Sequence, residues 1–164
     1  MKRGNSIALI IVLAALIILL ISIDYFHKQA EAFPFRCATF TRYDLSRKEG
    51  SHLDFAVTQD LRFQNRDSGY LLLNGQVTSG DSITVLNRRL ILTAGGKIDY
   101  DTYRYQIDKV IASTTDTTPD PIFNALLAEL TLDPSYLQLD VDKVDEKSYL
   151  IGGPLSYLFT CQRY

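Results

Sequence analysis

Residues 53–63 read LDFAVTQDLRF, a stretch in which apolar and polar side chains alternate with one lapse at Gln59. The apolar residues at the odd-numbered positions of the stretch are Leu53, Phe55, Val57, Leu61 and Phe63. A period of two places these side chains on one face, because successive residues of a β-strand point to opposite sides. The stretch therefore predicts a strand with one face in a core and the other in solvent.

Stretches of the same character continue on both sides of residues 53–63. They are residues 33–43, 69–78, 83–93, 97–113, 136–141, 148–151 and 155–163. Clusters of turn-forming residues separate several of them, and the Ala-Gly-Gly-Lys sequence at 94–97 is one such predicted turn. In the stretch at residues 97–113, the apolar side chains change from one parity to the other near Asp101 and Thr102, which is typical of a β-bulge.

A short amphipathic segment interrupts this strand pattern. Asp120 is a favourable N-cap residue, and Pro121 suits the first helical position. One helical face is apolar and consists of Phe123, Leu126, Leu127 and Leu130. The sequence therefore predicts one short helix over residues 121–131, ended by Asp133 and Pro134.

About seven short antiparallel strands with one short helix predict a mainly β (α+β) domain, built as a curled sheet or a small barrel. The strand order is not determined by this pattern. Cys37 and Cys161 are the only cysteines and lie near the two ends of the domain. In an oxidising, exported location such a pair favours a disulfide over a metal or redox site, so we expect a bridge between the first strand and the last.

An apolar run precedes the predicted domain: residues 7–23 read IALIIVLAALIILLISI and carry no charge. A helix of this length extends about 26 Å, which nearly spans a hydrocarbon core of ~30 Å. Tyr25 and Phe26 extend the run to the interface, where aromatic rings are enriched. Lys2 and Arg3 before the run predict that the N-terminus stays in the cytoplasm and that the rest is exported.

The predicted organisation is a cytoplasmic N-terminus, a transmembrane anchor in contact with the lipid bilayer, a linker and an exported β-rich domain, at residues 1–6, 7–26, 27–32 and 33–164. A cleaved signal peptide is the alternative, because Ala30-Glu31-Ala32 matches an A-x-A cleavage site. The length of the apolar run and the charged spacer at 24–29 favour an uncleaved, single-pass anchor.

Composition excludes two broad classes of protein. Apolar residues make up 46% of the 164 residues, and the net charge is only −2, so the chain is not intrinsically disordered. The isoelectric point near 5.6 and the absence of a basic tract argue against nucleic-acid binding.

The sequence contains no arrangement of side chains typical of an active site. The GxSxG nucleophile motif is absent, and His27 and His52 have no partner at relay or ligand spacing. A small acidic cluster lacks the glycine and the regular ligand spacing of a calcium loop; it consists of Asp140, Asp142, Asp145 and Glu146. We therefore expect no catalytic residue, no metal, no cofactor and no enzymatic activity.

Tyr100, Tyr103 and Tyr105 lie close together in the chain and are candidates for the lining of an apolar pocket. Packing within a strand accounts for these three tyrosines equally well. An exported domain without catalytic residues favours a role in binding a partner or a ligand.

Four sequence features carry a resemblance to a known family. They are the MKRGNS start at 1–6, the apolar run at 7–23, TTPDPIFNALLAEL at 117–130 and YLFTC at 157–161. With these features the chain resembles the FidL-like inner-membrane proteins of Gram-negative bacteria and, more distantly, the ToxS-type accessory proteins.

The resemblance implies an inner-membrane protein whose periplasmic domain works beside a membrane-bound, ToxR-like transcription regulator. For the wider ToxS-type group it also implies a lipocalin-like half-barrel that forms a joint apolar pocket with its partner. The leading hypothesis is therefore an accessory protein that binds and modulates such a regulator, by strand addition at a sheet edge or by packing against the helix at 121–131. The alternative is a stand-alone periplasmic binder of a small apolar ligand.

Overall fold

The computed structural model describes residues 11–22, 33–46, 52–154 and 157–164. By its internal contacts the chain divides into two compact units, Met1–Ala32 and Phe33–Tyr164. In the first unit, residues 11–22 form helix α1, whose apolar side chains are mostly exposed.

The second unit is a closed antiparallel barrel in which each strand pairs with the next and the last pairs with the first. Its elements in chain order are β1 Phe35–Ser46, β2 His52–Phe63, β3 Gly69–Ser79, β4 Ser82–Lys97, β5 Thr102–Ala112, helix α2 Asp120–Leu130, β6 Tyr136–Lys143, β7 Ser148–Gly152 and β8 Tyr157–Arg163.

The two sides of the barrel differ in length. Strands β1 to β4 pair with one another over almost their whole lengths. By contrast, β5 pairs with β6 only over Thr102–Gln106. The ladder between β1 and β8 is shorter still and joins only Cys37 to Arg163 and Ala38 to Gln162. The barrel therefore has a long side, β1–β4, and a short side, β6–β8.

The five apolar side chains at the odd-numbered positions of β2 face the barrel interior as predicted, and all five are buried. Helix α2 buries its predicted apolar face in the same core, through Phe123, Leu126, Leu127 and Leu130. Helix α2 connects β5 to β6, so this connection supplies part of the core.

The start of α2 is attached to β4 by Arg88, a side chain that is only 7% exposed. Its guanidinium donates to the carboxylates of Asp116 (3.2 Å) and Asp120 (2.7 Å) and to the carbonyl of Thr118 (2.5 Å). It also lies 4.4 Å from the ring centroid of Phe123. Burial disfavours the charged form, but the two carboxylates outweigh it and raise the pKa of Arg88.

Cys37 and Cys161 form a disulfide between β1 and β8, with their Cα atoms 5.5 Å apart. Both cysteines are completely buried. The bond lies beside the two-pair ladder that closes the barrel, and it joins the two strands that the sequence placed at the ends of the domain.

The predicted fold class is wrong in two respects. The body is a closed barrel of eight strands, whereas the prediction was about seven strands in a curled sheet or a small barrel. The second error concerns the predicted transmembrane helix. Among the described residues, no helix is long and apolar enough to cross a membrane. Residues 7–10 and 23–26 of the predicted anchor lie outside the described ranges.

The predicted turn at 94–97 is also wrong, because β4 continues through it to Lys97. The ladder with β5 shifts register between Thr93 and Gly96, so Ala94 and Gly95 form a bulge instead of a hairpin turn. The chain reverses direction at residues 98–101, where the N–H of Ile98 donates to the carbonyl of Thr102 at 2.9 Å. The parity switch near Asp101 and Thr102 is therefore a turn, and the bulge predicted there is wrong.

Replacing Phe55 with Ala should lower the free energy of unfolding by about 3–5 kcal/mol, because the ring is completely buried. The matched control is Phe40→Ala on the neighbouring strand, where the ring is 63% exposed and the expected loss is below about 0.5 kcal/mol. Urea denaturation of the full-length chain measures both values. Equal losses would show that the inner face of the barrel is wrongly assigned.

Replacing both cysteines with Ser should lower the free energy of unfolding by about 3–5 kcal/mol, since the disulfide closes a loop with a sequence separation of 124. On non-reducing electrophoresis the wild-type chain should migrate faster than after reduction. Identical mobility, with both thiols open to alkylation, would rule out the bond.

Candidate functional site

The part of β1 beyond its short ladder with β8 is a sheet edge. The N–H of Tyr164 donates to the carbonyl of Arg36 at 3.2 Å, so the backbone groups of Arg36 point away from β2. In an antiparallel ladder, alternate residues direct their N–H and C=O groups to the same side. Because the register between β1 and β2 is unbroken, the other even-numbered residues of β1 point the same way.

Phe40 and Arg42 therefore direct their N–H and C=O groups away from β2. Within the described ranges none of these four groups has a backbone hydrogen-bond partner. The two residues form what we call the open β1 edge. Unpaired backbone groups along a strand are a template for the addition of another strand.

The side chains of the open β1 edge face solvent. Phe40 is an exposed ring, and Arg42 forms an ion pair with Asp54 on β2. Next to the edge, the carboxylate of Asp44 lies 3.1 Å from His52 Nδ1. Charged side chains at an edge discourage unspecific strand pairing. The edge thus combines one apolar contact with charges that limit which strand can be added.

An unsatisfied polar atom lies on the inner side of the same region. Gln59 is 1% exposed, and its Nε2 donates to the hydroxyl of Tyr43 at 2.5 Å. Its Oε1 is buried without a hydrogen-bond partner among the described residues, a situation that costs about 1–3 kcal/mol. Burial also raises the pKa of Tyr43. The lapse at Gln59 in the apolar pattern was the sequence signal for this feature, but its inward position was not predicted.

The three tyrosines predicted as pocket residues lie in different surroundings. Tyr105 is 3% exposed and stacks on Phe63 with ring centroids 4.6 Å apart. Tyr103 is half-buried against the core, whereas Tyr100 is 75% exposed in the turn before β5. Tyr105 is therefore a packed core residue, and the structure does not bring all three side chains to one site.

The acidic cluster is divided between a strand and a turn. Partial desolvation, followed by the charges of Asp101 and Asp140, raises the pKa of Asp142. In the turn after β6, the N–H groups of Lys147 and Ser148 donate to the carboxylate of Asp145 and lower its pKa. The described part of the chain holds no group of three or more His, Cys, Asp or Glu side chains suited to a metal ion.

Asp142→Asn should stabilise the protein at neutral pH. A carboxyl group whose folded-state pKa is raised above 3.8 opposes folding when it is ionised, and this effect disappears as the pH falls through that pKa. The matched control is Asp145→Asn, which should destabilise the protein, because a lowered pKa means that the folded state favours the charged form. Urea denaturation at several pH values measures both. A stabilisation by Asp142→Asn that persists unchanged in acid would contradict the assignment.

Comparison with known proteins gives a family match. A family model described as FidL-like putative membrane protein matches residues 75–161, just over half of the chain. The matched region runs from within β3 to within β8 and includes α2 and Cys161. No curated protein matches the chain, and no solved structure matches it.

Proposed function

The chain belongs to the FidL-like putative membrane protein family, and we propose that its barrel binds and modulates a membrane-bound, ToxR-like transcription regulator. The resemblance to accessory proteins of such regulators suggests this class of partner. The observation that carries the proposal is the open β1 edge, because it offers backbone groups for a partner strand in a known mode of recognition.

Strand addition at the open β1 edge explains how the barrel recognises a partner without a deep groove. Two alternate residues offer two N–H donors and two C=O acceptors, and a partner segment of about three extended residues covers them at roughly 3.3 Å per residue. Backbone hydrogen bonds then supply affinity. Contacts with the side chains of Phe40 and Arg42 select which segment fits.

The proposed location is the periplasmic side of the bacterial inner membrane. A buried disulfide that closes the fold suits an oxidising compartment, where such bonds form and persist. The description of the family as putative membrane proteins supports a location at a membrane. We assign the protein a binding role and no catalytic step.

Binding of a small apolar ligand inside the barrel is the second candidate function. The unsatisfied Oε1 of Gln59 favours it, because a ligand hydroxyl or amide would complete the hydrogen bonding of that atom. Such a ligand would share the interior with the closely packed side chains around Phe55 and Val57. The edge remains the stronger candidate because a strand can pair with its four backbone groups without displacing core side chains.

Arg42→Pro is the variant that tests the edge. Proline removes the N–H that points away from β2 and adds a ring that obstructs a new strand, but it leaves the hydrogen bonds to β2 in place. Arg42→Ala is the matched control, since it removes the same side chain and the same ion pair but keeps the N–H. Both variants should retain the fold.

The measurement is photo-cross-linking in the native membrane from a benzoylphenylalanine at position 40 of the full-length protein. We expect it to capture a membrane-bound regulator with a DNA-binding domain, and the Arg42→Pro variant should reduce capture at least about tenfold relative to Arg42→Ala. A probe at Ile83, an exposed position on β4, should not capture it. Equal capture by the two Arg42 variants would exclude strand addition at this edge.

A further inference from the structure

A depression of about 330 Å³ lies on the outer surface of the barrel, where β4, β5 and β6 meet. Its lining is Ala94, Gly96, Ile98, Arg104, Gln106 and Tyr136. This surface is separate from the open β1 edge and takes no part in the strand addition proposed for that edge.

The bulge in β4 creates the floor of this depression. Ala94 has a φ of 48°, a left-handed conformation that non-glycine residues rarely adopt. A Cβ atom added at Gly96 would meet no atom within 4 Å, so the space above this glycine is open. Tyr136 and the side chain of Ile98, which is 56% exposed, provide apolar walls.

Arg104 brings an uncompensated positive charge to the depression. Its guanidinium carbon lies 4.1 Å from the ring centroid of Tyr136. Its two neighbours across the ladders, Gly96 and Gln138, are uncharged. The side chain of Arg104 has no ion pair or hydrogen bond within the described ranges. The carboxylate of Asp140, further along β6, instead accepts a hydrogen bond from Thr102 at 2.7 Å.

We propose that this depression binds a small carboxylate that carries an aryl or short alkyl body. A guanidinium that stacks on a tyrosine ring keeps its N–H fork available, and that fork matches the two oxygens of a carboxylate. The amide of Gln106 offers a further hydrogen bond beside Arg104. The apolar body of the ligand would rest over Gly96 between Ile98 and Tyr136.

The volume of the depression limits the size of the ligand. It lies at the lower end of the range of roughly 300–1,000 Å³ that is typical of small-molecule sites. A single ring with a short carboxylate chain fits this space. The proposal does not depend on partner binding, so either function can fail without the other.

Isothermal titration of the full-length protein with 3-phenylpropionate tests the site, with the neutral 3-phenylpropionamide as the matched ligand. We expect the carboxylate to bind at least about tenfold more tightly than the amide, because a charge-assisted pair with Arg104 is lost in the amide. Arg104→Gln should weaken binding of the carboxylate to the level of the amide. Gly96→Val should abolish binding, because a Cβ at this position meets no atom within 4 Å and the added side chain would occupy the open floor.

Arg89→Gln is the control variant. Arg89 also lies over a tyrosine ring, that of Tyr70 at 5.1 Å, but it does not line the depression. Its replacement should leave binding of 3-phenylpropionate unchanged. No binding by the wild-type chain, equal binding of acid and amide, or equal losses in the Arg104 and Arg89 variants would each overturn the proposal.

Discussion

The barrel closes through a ladder of only two residue pairs between β1 and β8, and the rest of the structure depends on this constraint. A ladder so short supplies few hydrogen bonds to hold the first strand against the last. The Cys37–Cys161 disulfide reinforces it, because a covalent link between distant residues restricts the unfolded chain as well as the folded one. The remainder of β1 extends past the ladder and becomes an edge.

Helix α2 completes the core of the barrel unit, because its apolar face is buried in the same cluster as the inward side chains of the strands. Arg88 attaches the start of the helix to β4 through Asp116, Asp120 and the carbonyl of Thr118. A buried arginine is stable here because its charge is compensated and its donors are used.

The two surfaces to which we assign binding arise from departures from a regular barrel. At β1 the ladder with β8 ends after two residue pairs, which leaves backbone groups without a strand partner. At β4 an extra residue bends the strand, which opens a depression over Gly96 beneath a stacked arginine. Regular ladders satisfy their own hydrogen bonds and pack their own side chains, so they offer little to a partner. Binding capacity in this fold therefore lies where the pairing is irregular.

The sequence by itself determined most of the strands, the inward face of β2, the apolar face of α2 and the pair of cysteines that could be joined. The strands and their faces follow from local periodicity, which is a property of neighbouring residues. The length of each ladder and the β4 bulge in place of a turn were decided only by the tertiary structure. Each of them depends on which distant strand lies alongside, and local periodicity carries no information about that neighbour.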